Sequence, residues 1–277
     1  MTASLADAVR VIVEPLLGPI RVDATPVDHH ERLVWLATRP DGPVVVKADT
    51  RADAHRRERS ALLAHHRRGR PVPRLIDHHR GPVNILILTH LPGSPLVGSD
   101  RSHAWRAVGA ALRELHATPL TGHACVGDGY DADARVGRSL DYALGGENDL
   151  ATALITDGAD FVRRHLTAEV SGLLVHGDCQ PDHFLLDDDR RNVTGIIDFG
   201  DAGLGDPLWD LAVLTVDHPE RLPDVLDGYQ PNERLAARAE RELPAYHALR
   251  CLTDIRWLRE HGFDPGYCTD RLAQLLV

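Results

Sequence analysis

Two short apolar runs that each end in acid constrain this chain more than any other feature. They are Leu173-Leu-Val-His-Gly-Asp178 and, about 20 residues on, Val193-Thr-Gly-Ile-Ile-Asp198. Moving a carboxylate out of water costs several kcal/mol unless a cation or hydrogen-bond donors meet it. A run that stays apolar almost to its end is a strand heading into a core, so its polar tip is either a satisfied turn or a site. The first run continues through Cys179, Asp182 and His183 to the apolar Phe184-Leu-Leu186. The second continues as Phe199-Gly-Asp201, followed by Gly205-Asp-Pro-Leu-Trp-Asp-Leu211. Paired as a hairpin, the two strands would bring Asp178 and Asp198 to one point. Two carboxylates there repel unless a cation or a shared proton holds them, and a magnesium ion with nucleotide phosphates would supply the cation.

A second constraint is a single residue. The chain has 31 basic residues, and Lys47 is its only lysine. It ends Pro43-Val-Val-Val-Lys47, a β-branched run that reads as a buried strand. A compact ammonium on a strand suits gripping phosphate, a task that arginine's planar fork fills differently. Around it, Arg32 to Thr38, the turn Pro40-Asp41-Gly42 and Pro43 to Lys47 form a hairpin pattern. Asp53 to Arg68 reads as a helix carrying Glu58, and residues 72–77 and 83–89 as two more strands. Pro92-Gly93 then breaks the pattern, which places a domain boundary between residues 1–92 and 93–277. Beyond it, residues 103–117, 151–168 and 232–260 read as helices, with Ala245, Leu249, Leu252 and Ile255 on one face of the last.

Charge is unevenly spread. Residues 1–92 carry 14 Lys+Arg against 10 Asp+Glu, and residues 93–277 carry 17 against 31. The acidic second part disfavours nucleic acid and favours a cationic ligand, unless the acidity serves solubility alone. No window approaches ~18 uninterrupted apolar residues, so no membrane span is expected. The N-terminus lacks the basic start and apolar core of a signal peptide, and Cys125, Cys179, Cys251 and Cys268 form no CxxC pair. Reduced thiols and a cytoplasmic location are the expectation.

Taken in order, these stretches resemble the aminoglycoside phosphotransferase-like small-molecule kinases, relatives of the protein kinases. His176-Gly-Asp178 matches the start of that family's catalytic loop, HGDxxxxN, with His183 in the Asn place. Ile197-Asp198-Phe199-Gly200 matches its metal-binding element, Gly205 to Leu211 its trailing GDPxxDL, and Lys47 and Glu58 its strand lysine and helix glutamate. Several ordered motifs over roughly residues 30–215 are far more specific than HGD alone.

The resemblance implies an α+β, two-lobed, protein-kinase-like fold: a small antiparallel β lobe with one helix, then a larger, mainly helical lobe. It implies ATP or GTP as co-substrate, Mg2+ as the metal with Mn2+ as the alternative, and transfer to a hydroxyl. Asp178 would orient that hydroxyl and accept its proton, and Asp198 would hold the metal. Lys47 would grip phosphates with Glu58 fixing it, and Thr89-His90-Leu91 would be the hinge meeting the base. Asp206 and Asp210 read as caps and turn residues.

The chain departs from that family in two places. Thr25-Pro-Val-Asp-His-His30 stands where a glycine-rich or small polar loop would cover the phosphates. His183 brings nitrogen where magnesium prefers oxygen; it could ligate directly, bond a metal-bound water, pin the loop, or leave a single metal. The expected acceptor is a cationic amino sugar, an aminoglycoside antibiotic, contacted by Asp201, Asp254 and Glu260. The alternatives are a macrolide, choline or homoserine-type alcohol, a non-catalytic nucleotide-binding protein, and a cysteine hydrolase built on Cys179.

Overall fold

The computed structural model describes residues 4–28, 31–118, 132–145, 152–166 and 173–277. They divide into two compact units. One is drawn from the chain up to Gly98 and, returning late, from Asp182–Ala202; the other comes from the segments between and after these.

The first unit is built on an antiparallel sheet of five strands: β1 (Arg21–Asp28), β2 (Arg32–Arg39), β3 (Gly42–Asp49), β4 (Leu75–His79) and β5 (Asn84–Thr89), in the order β1-β2-β3-β5-β4. Alternation along β2 and β3 sets Leu33, Trp35, Val46 and Ala48 on one face, where Val9 and Val13 of α1 (Leu5–Leu17) complete the core with Ile85 and Ile87. That helix was not foreseen; its signal is a capping box in which the Ser4 hydroxyl accepts from Asp7 N–H while Asp7 accepts from Ser4 N–H. The period of two puts Lys47 on the opposite face from Val46 and Ala48. On that side α2 (Ala52–His66) buries Glu58.

The late segment joins this unit through a small antiparallel sheet, β6 (Ser94–Pro95) beside β8 (Phe184–Leu186) beside β9 (Val193–Ile196). Main-chain bonds from Leu96 N–H to Phe184 O (2.9 Å) and from Ile196 N–H to Pro71 O (2.7 Å) tie it in. The expected hairpin of the two acid-tipped strands does not form. β9 pairs with β8, and β7 (Leu173–Val175) pairs with β10 (Gly203–Gly205) in the second unit. Strands of three or four residues hold too little pattern to choose a partner.

The second unit is mainly helical: α3 (Ser102–His116), α4 (Ala132–Leu144), α5 (Thr152–His165), α6 (Pro207–Thr215), α7 (Leu222–Tyr229), α8 (Glu233–Glu260) and α9 (Gly266–Leu275). Ala245, Leu249, Leu252 and Ile255 form the buried stripe that spacing predicted for α8. Asp206 caps α6, accepting from Leu208 N–H at 3.0 Å, and pairs with the buried Arg238 of α8, which also meets Glu242. Among the described residues no helix is long and apolar enough to cross a membrane.

Two glycines set how closely α3 and α7 approach. A methyl group on Gly109 would overlap the carbonyl oxygen of Val225, and one on Gly228 that of Arg106. Overpacking costs about 1–3 kcal/mol, and here the opposing atoms are backbone, which yields little. Gly109→Ala is therefore expected to lower the urea midpoint of unfolding. Gly137→Ala, in open space on α4, is expected to leave it unchanged or raise it, since alanine suits a helix by roughly 1 kcal/mol. Equal midpoints for the two variants would refute the close crossing.

Candidate active site

In the first unit four charged side chains from four places in the sequence close into one network. Lys47 donates from Nζ to Glu58 Oε1 at 2.7 Å and to Asp198 Oδ1 at 2.8 Å. Arg32, at the start of β2, donates from Nη2 to both Asp198 oxygens, at 2.8 and 2.7 Å. The register that sets Arg32 opposite Asp49 and Val34 opposite Lys47 places Arg32 and Lys47 on the same sheet face. His183 Nε2 lies 3.8 Å from Asp198 Oδ2 and 3.9 Å from Asp182 Oδ1.

Burial alone would push the Asp198 carboxyl up, but Lys47 and Arg32 outweigh it and hold it well below the usual carboxylate range. Burial likewise works against the charge of Lys47, and Asp198 and Glu58 overcome it, raising its pKa above a free lysine's. The Lys47 side chain is only 12% exposed, so its ammonium is committed to these carboxylates rather than to water.

The backbone delivers Asp198 at a cost. It sits in the left-handed region, φ 67° and ψ 64°, which a residue with a Cβ seldom adopts and Asp and Asn tolerate best. Such strain, roughly 1–3 kcal/mol, persists only where the surroundings impose it. Arg57 of α2 donates from Nε to Gly200 O at 2.8 Å, Phe199 is buried against the His65 ring (5.3 Å between centroids), and Ile197 N–H donates to His183 O at 3.0 Å. Three anchors thus surround one carboxylate.

In the second unit Asp178 follows β7 through Gly177, whose φ of 88° a side chain would resist. The fully buried Asp210 of α6 staples this turn. It accepts from His176 N–H at 2.7 Å, from Gly177 N–H at 2.8 Å, and pairs with His116 Nε2 at 2.9 Å. Burial raises its pKa, but the bonds from His116 and from the backbone lower it on balance, so it stays ionised. Trp209 adds a bond from Nε1 to Gly177 O at 2.8 Å. The Asp178 side chain receives Gln180 Nε2 on both oxygens at 3.1 Å and Arg250 Nη1 on Oδ1 at 3.3 Å. Cys179 is fully buried, and its thiol is pushed well above its usual pKa by burial, with Asp210 and Asp178 adding to it. A thiol so held is not a nucleophile, which removes the hydrolase alternative.

The remaining residues scatter more widely. Thr89 closes β5 and trades bonds with Arg74, whose N–H reaches Thr89 Oγ1 at 2.9 Å; Leu91 lies just beyond, facing Gly195 of β9. Asp201 belongs to the first unit, exposed and 3.7 Å from Arg57. Asp254 and Glu260 lie on α8. Asp254 meets Arg250 at 2.8 Å, and Glu260 meets Arg256 and the Tyr142 hydroxyl, each at 2.6 Å. Burial pushes Asp254 up to about 6 against the pull of Arg250. Sequence reasoning missed Arg32 and Arg250 altogether, because one arginine among 30 carries no local signal.

The donor set suits a hard divalent cation. Asp198 is an ionised carboxylate met by an ammonium and a guanidinium, and its oxygens are hard donors of the kind magnesium prefers. Among the described residues no cluster of three or more His, Cys, Asp or Glu side chains forms a cage. Magnesium is ordinarily bound by one or two carboxylates together with substrate phosphates rather than by an all-protein cage.

Comparison with known proteins agrees with this geometry. The model of the phosphotransferase enzyme family matches residues 23–252. The chain is similar to viomycin phosphotransferase of Streptomyces vinaceus, 28% identical over 149 residues, which are 50% of this chain and 51% of that protein. It is similar to streptomycin 3''-kinase of Streptomyces griseus, 29% identical over 204 residues, 65% of this chain and 70% of that protein. The match thus spans about half the length of the first relative. Among solved structures, an aminoglycoside phosphotransferase in ternary complex with ADP and hygromycin B superposes with a TM-score of 0.78, covering 97% of this chain and 98% of that one at 16% identity. The α+β, kinase-like fold expected above is the fold they share.

Proposed function

We propose, from the premise that this chain belongs to the phosphotransferase enzyme family, that it moves the terminal phosphate of ATP to a hydroxyl of a small cationic molecule, an aminoglycoside antibiotic, so inactivating it. The observation that carries the reading is the Lys47–Glu58–Asp198 network, a strand ammonium held by a helix carboxylate beside a strained, ionised aspartate. A solvated surface would have no cause to bury such a set.

The roles follow from what each group can do. Lys47, fixed by Glu58, grips the phosphates as a point charge. Asp198, with His183 beside it, would hold the magnesium, which when bound neutralises charge on the phosphate oxygens. Asp178 is the base: its carboxylate orients the acceptor hydroxyl and takes its proton as the oxygen bonds to the terminal phosphorus and the bond from that phosphorus to ADP breaks, ADP leaving. Asp210 keeps that base in place through the backbone of His176 and Gly177. Thr89, at the end of β5, with His90 and Leu91 after it, would meet the nucleotide base. GTP in place of ATP, and Mn2+ in place of Mg2+ through the His183 nitrogen, are consistent with these roles.

The charge split supports a cationic acceptor, and so does the similarity to a streptomycin 3''-kinase. Asp254 and Glu260 each hold an arginine. An ammonium of the acceptor would therefore exchange for a guanidinium instead of filling an unmet site. The test is nucleotide turnover by the purified protein with aminoglycosides, macrolides and amino alcohols, followed by the acceptor KM across salt. The Debye length falls from ~30 Å at 0.01 M to ~8 Å at 0.15 M, so the KM of a cationic acceptor is expected to rise several-fold over that range. A best substrate without positive charge, or a KM indifferent to salt, would turn the choice to macrolides or other neutral alcohols. No turnover with any acceptor, despite nucleotide binding, would leave the non-catalytic reading.

A further inference from the structure

Residues 25–30 hold no glycine where a phosphate-covering loop would be rich in it. Arg32 is the first residue of β2, and its guanidinium reaches across to Asp198. We propose that Arg32 is a nucleotide-binding residue that does the work of the missing loop. In the free protein it rests on Asp198 in the place a divalent cation would take, and when metal and nucleotide arrive it passes to the phosphate oxygens. The inference rests on the kinase reading and deepens it.

Charge decides between this and a merely structural ion pair. The formal charges of Lys47 and Arg32 match those of Glu58 and Asp198, so these four groups carry no excess charge of either sign. A divalent cation alone would add two positive charges beside two fixed cations, which is unfavourable at such separations. The same ion carrying a triphosphate brings excess negative charge, and a displaced guanidinium is the group suited to meet it, with a planar fork that matches phosphate oxygens. The geometry allows the transfer. The Arg32 side chain is 27% exposed, more than twice the 12% of Lys47, so it is the less confined of the two cations. Metal and nucleotide are then expected to bind as a pair.

Equilibrium binding to the intact 277-residue chain tests this, without turnover. For Arg32→Gln, affinity for ATP with Mg2+ should fall roughly 10- to 100-fold, the worth of one or two charge-assisted hydrogen bonds. Affinity for adenosine, which has no phosphate, should stay at the wild-type value. Mn2+ without nucleotide should bind the variant several-fold more tightly than wild type, because the resident cation is gone. Arg32→Lys should lie between wild type and Arg32→Gln for ATP. Unchanged ATP affinity in Arg32→Gln, with wild type binding normally, would overturn the proposal and leave the kinase reading standing. Wild-type protein that binds no nucleotide would overturn the kinase reading itself. If Arg32→Gln also loses adenosine, its fold is damaged and Arg32→Lys decides: ATP affinity above that of Arg32→Gln supports the role, and none overturns it.

Discussion

Asp178→Asn is expected to leave the fold and nucleotide affinity near wild type and to remove transfer, with kcat falling roughly 10²–10⁴-fold, the usual worth of a positioned base. The turn that carries Asp178 is held by main-chain bonds from His176 and Gly177 to Asp210, none of which involves the Asp178 side chain. The amide is isosteric and still accepts from Gln180 or Arg250 on its one oxygen, so geometry survives while basicity is lost. Single-turnover transfer and nucleotide Kd, measured on the same preparation, separate the two. Transfer within a few-fold of wild type would end the assignment of Asp178 as base. Loss of nucleotide binding as well would show that the side chain supports the fold.

Lys47→Arg is expected to lower kcat on the order of 10²–10³, the cost of losing one preorganised charge at a transferring group, although formal charge is conserved. The ammonium fits between Glu58 Oε1 and Asp198 Oδ1 at 2.7 and 2.8 Å, in a space walled by β3 and α2. A guanidinium is longer and planar and must push one carboxylate aside, and Asp198 is already fixed by its strained backbone. The measurement is kcat with saturating nucleotide, alongside urea unfolding to check that the fold is retained. A variant as fast as wild type would mean that position 47 needs positive charge and not an ammonium.

Much of the fold was legible because periodicity is local. The β2–β3 hairpin and α8 fall within a few residues of where alternation and helical spacing put them. The Lys47, Glu58 and Asp198 side chains, singled out from motif order, meet in one network. What stayed hidden depends on partners far along the chain. Arg32 reaches Asp198 across 166 positions, and no pattern near Arg32 distinguishes it from any other strand-initiating arginine. The pairing of β7 with β10 was misread because three-residue strands carry no register of their own. Asp210 was read as a turn residue; nothing local says that its carboxylate collects two amides from the turn after β7 and an imidazole from α3. Asp201, grouped in sequence with Asp254 and Glu260, falls in the other unit because the chain changes units on either side of residues 182–202.

The solitary lysine at the middle of the sheet also makes the protein report on itself. A protease that cuts only after lysine has one target in these 277 residues, the Lys47–Ala48 bond. That bond lies within β3, paired on one side to β2 and on the other to β5. Cleavage into residues 1–47 and 48–277 therefore requires the sheet to open, and its rate under gentle digestion follows that opening. An amine-reactive label would likewise find one side chain, and a nucleotide that seals the network would shield it. Ligand screening by band shift or mass tag then needs no substrate, no coupled assay and no engineered reporter.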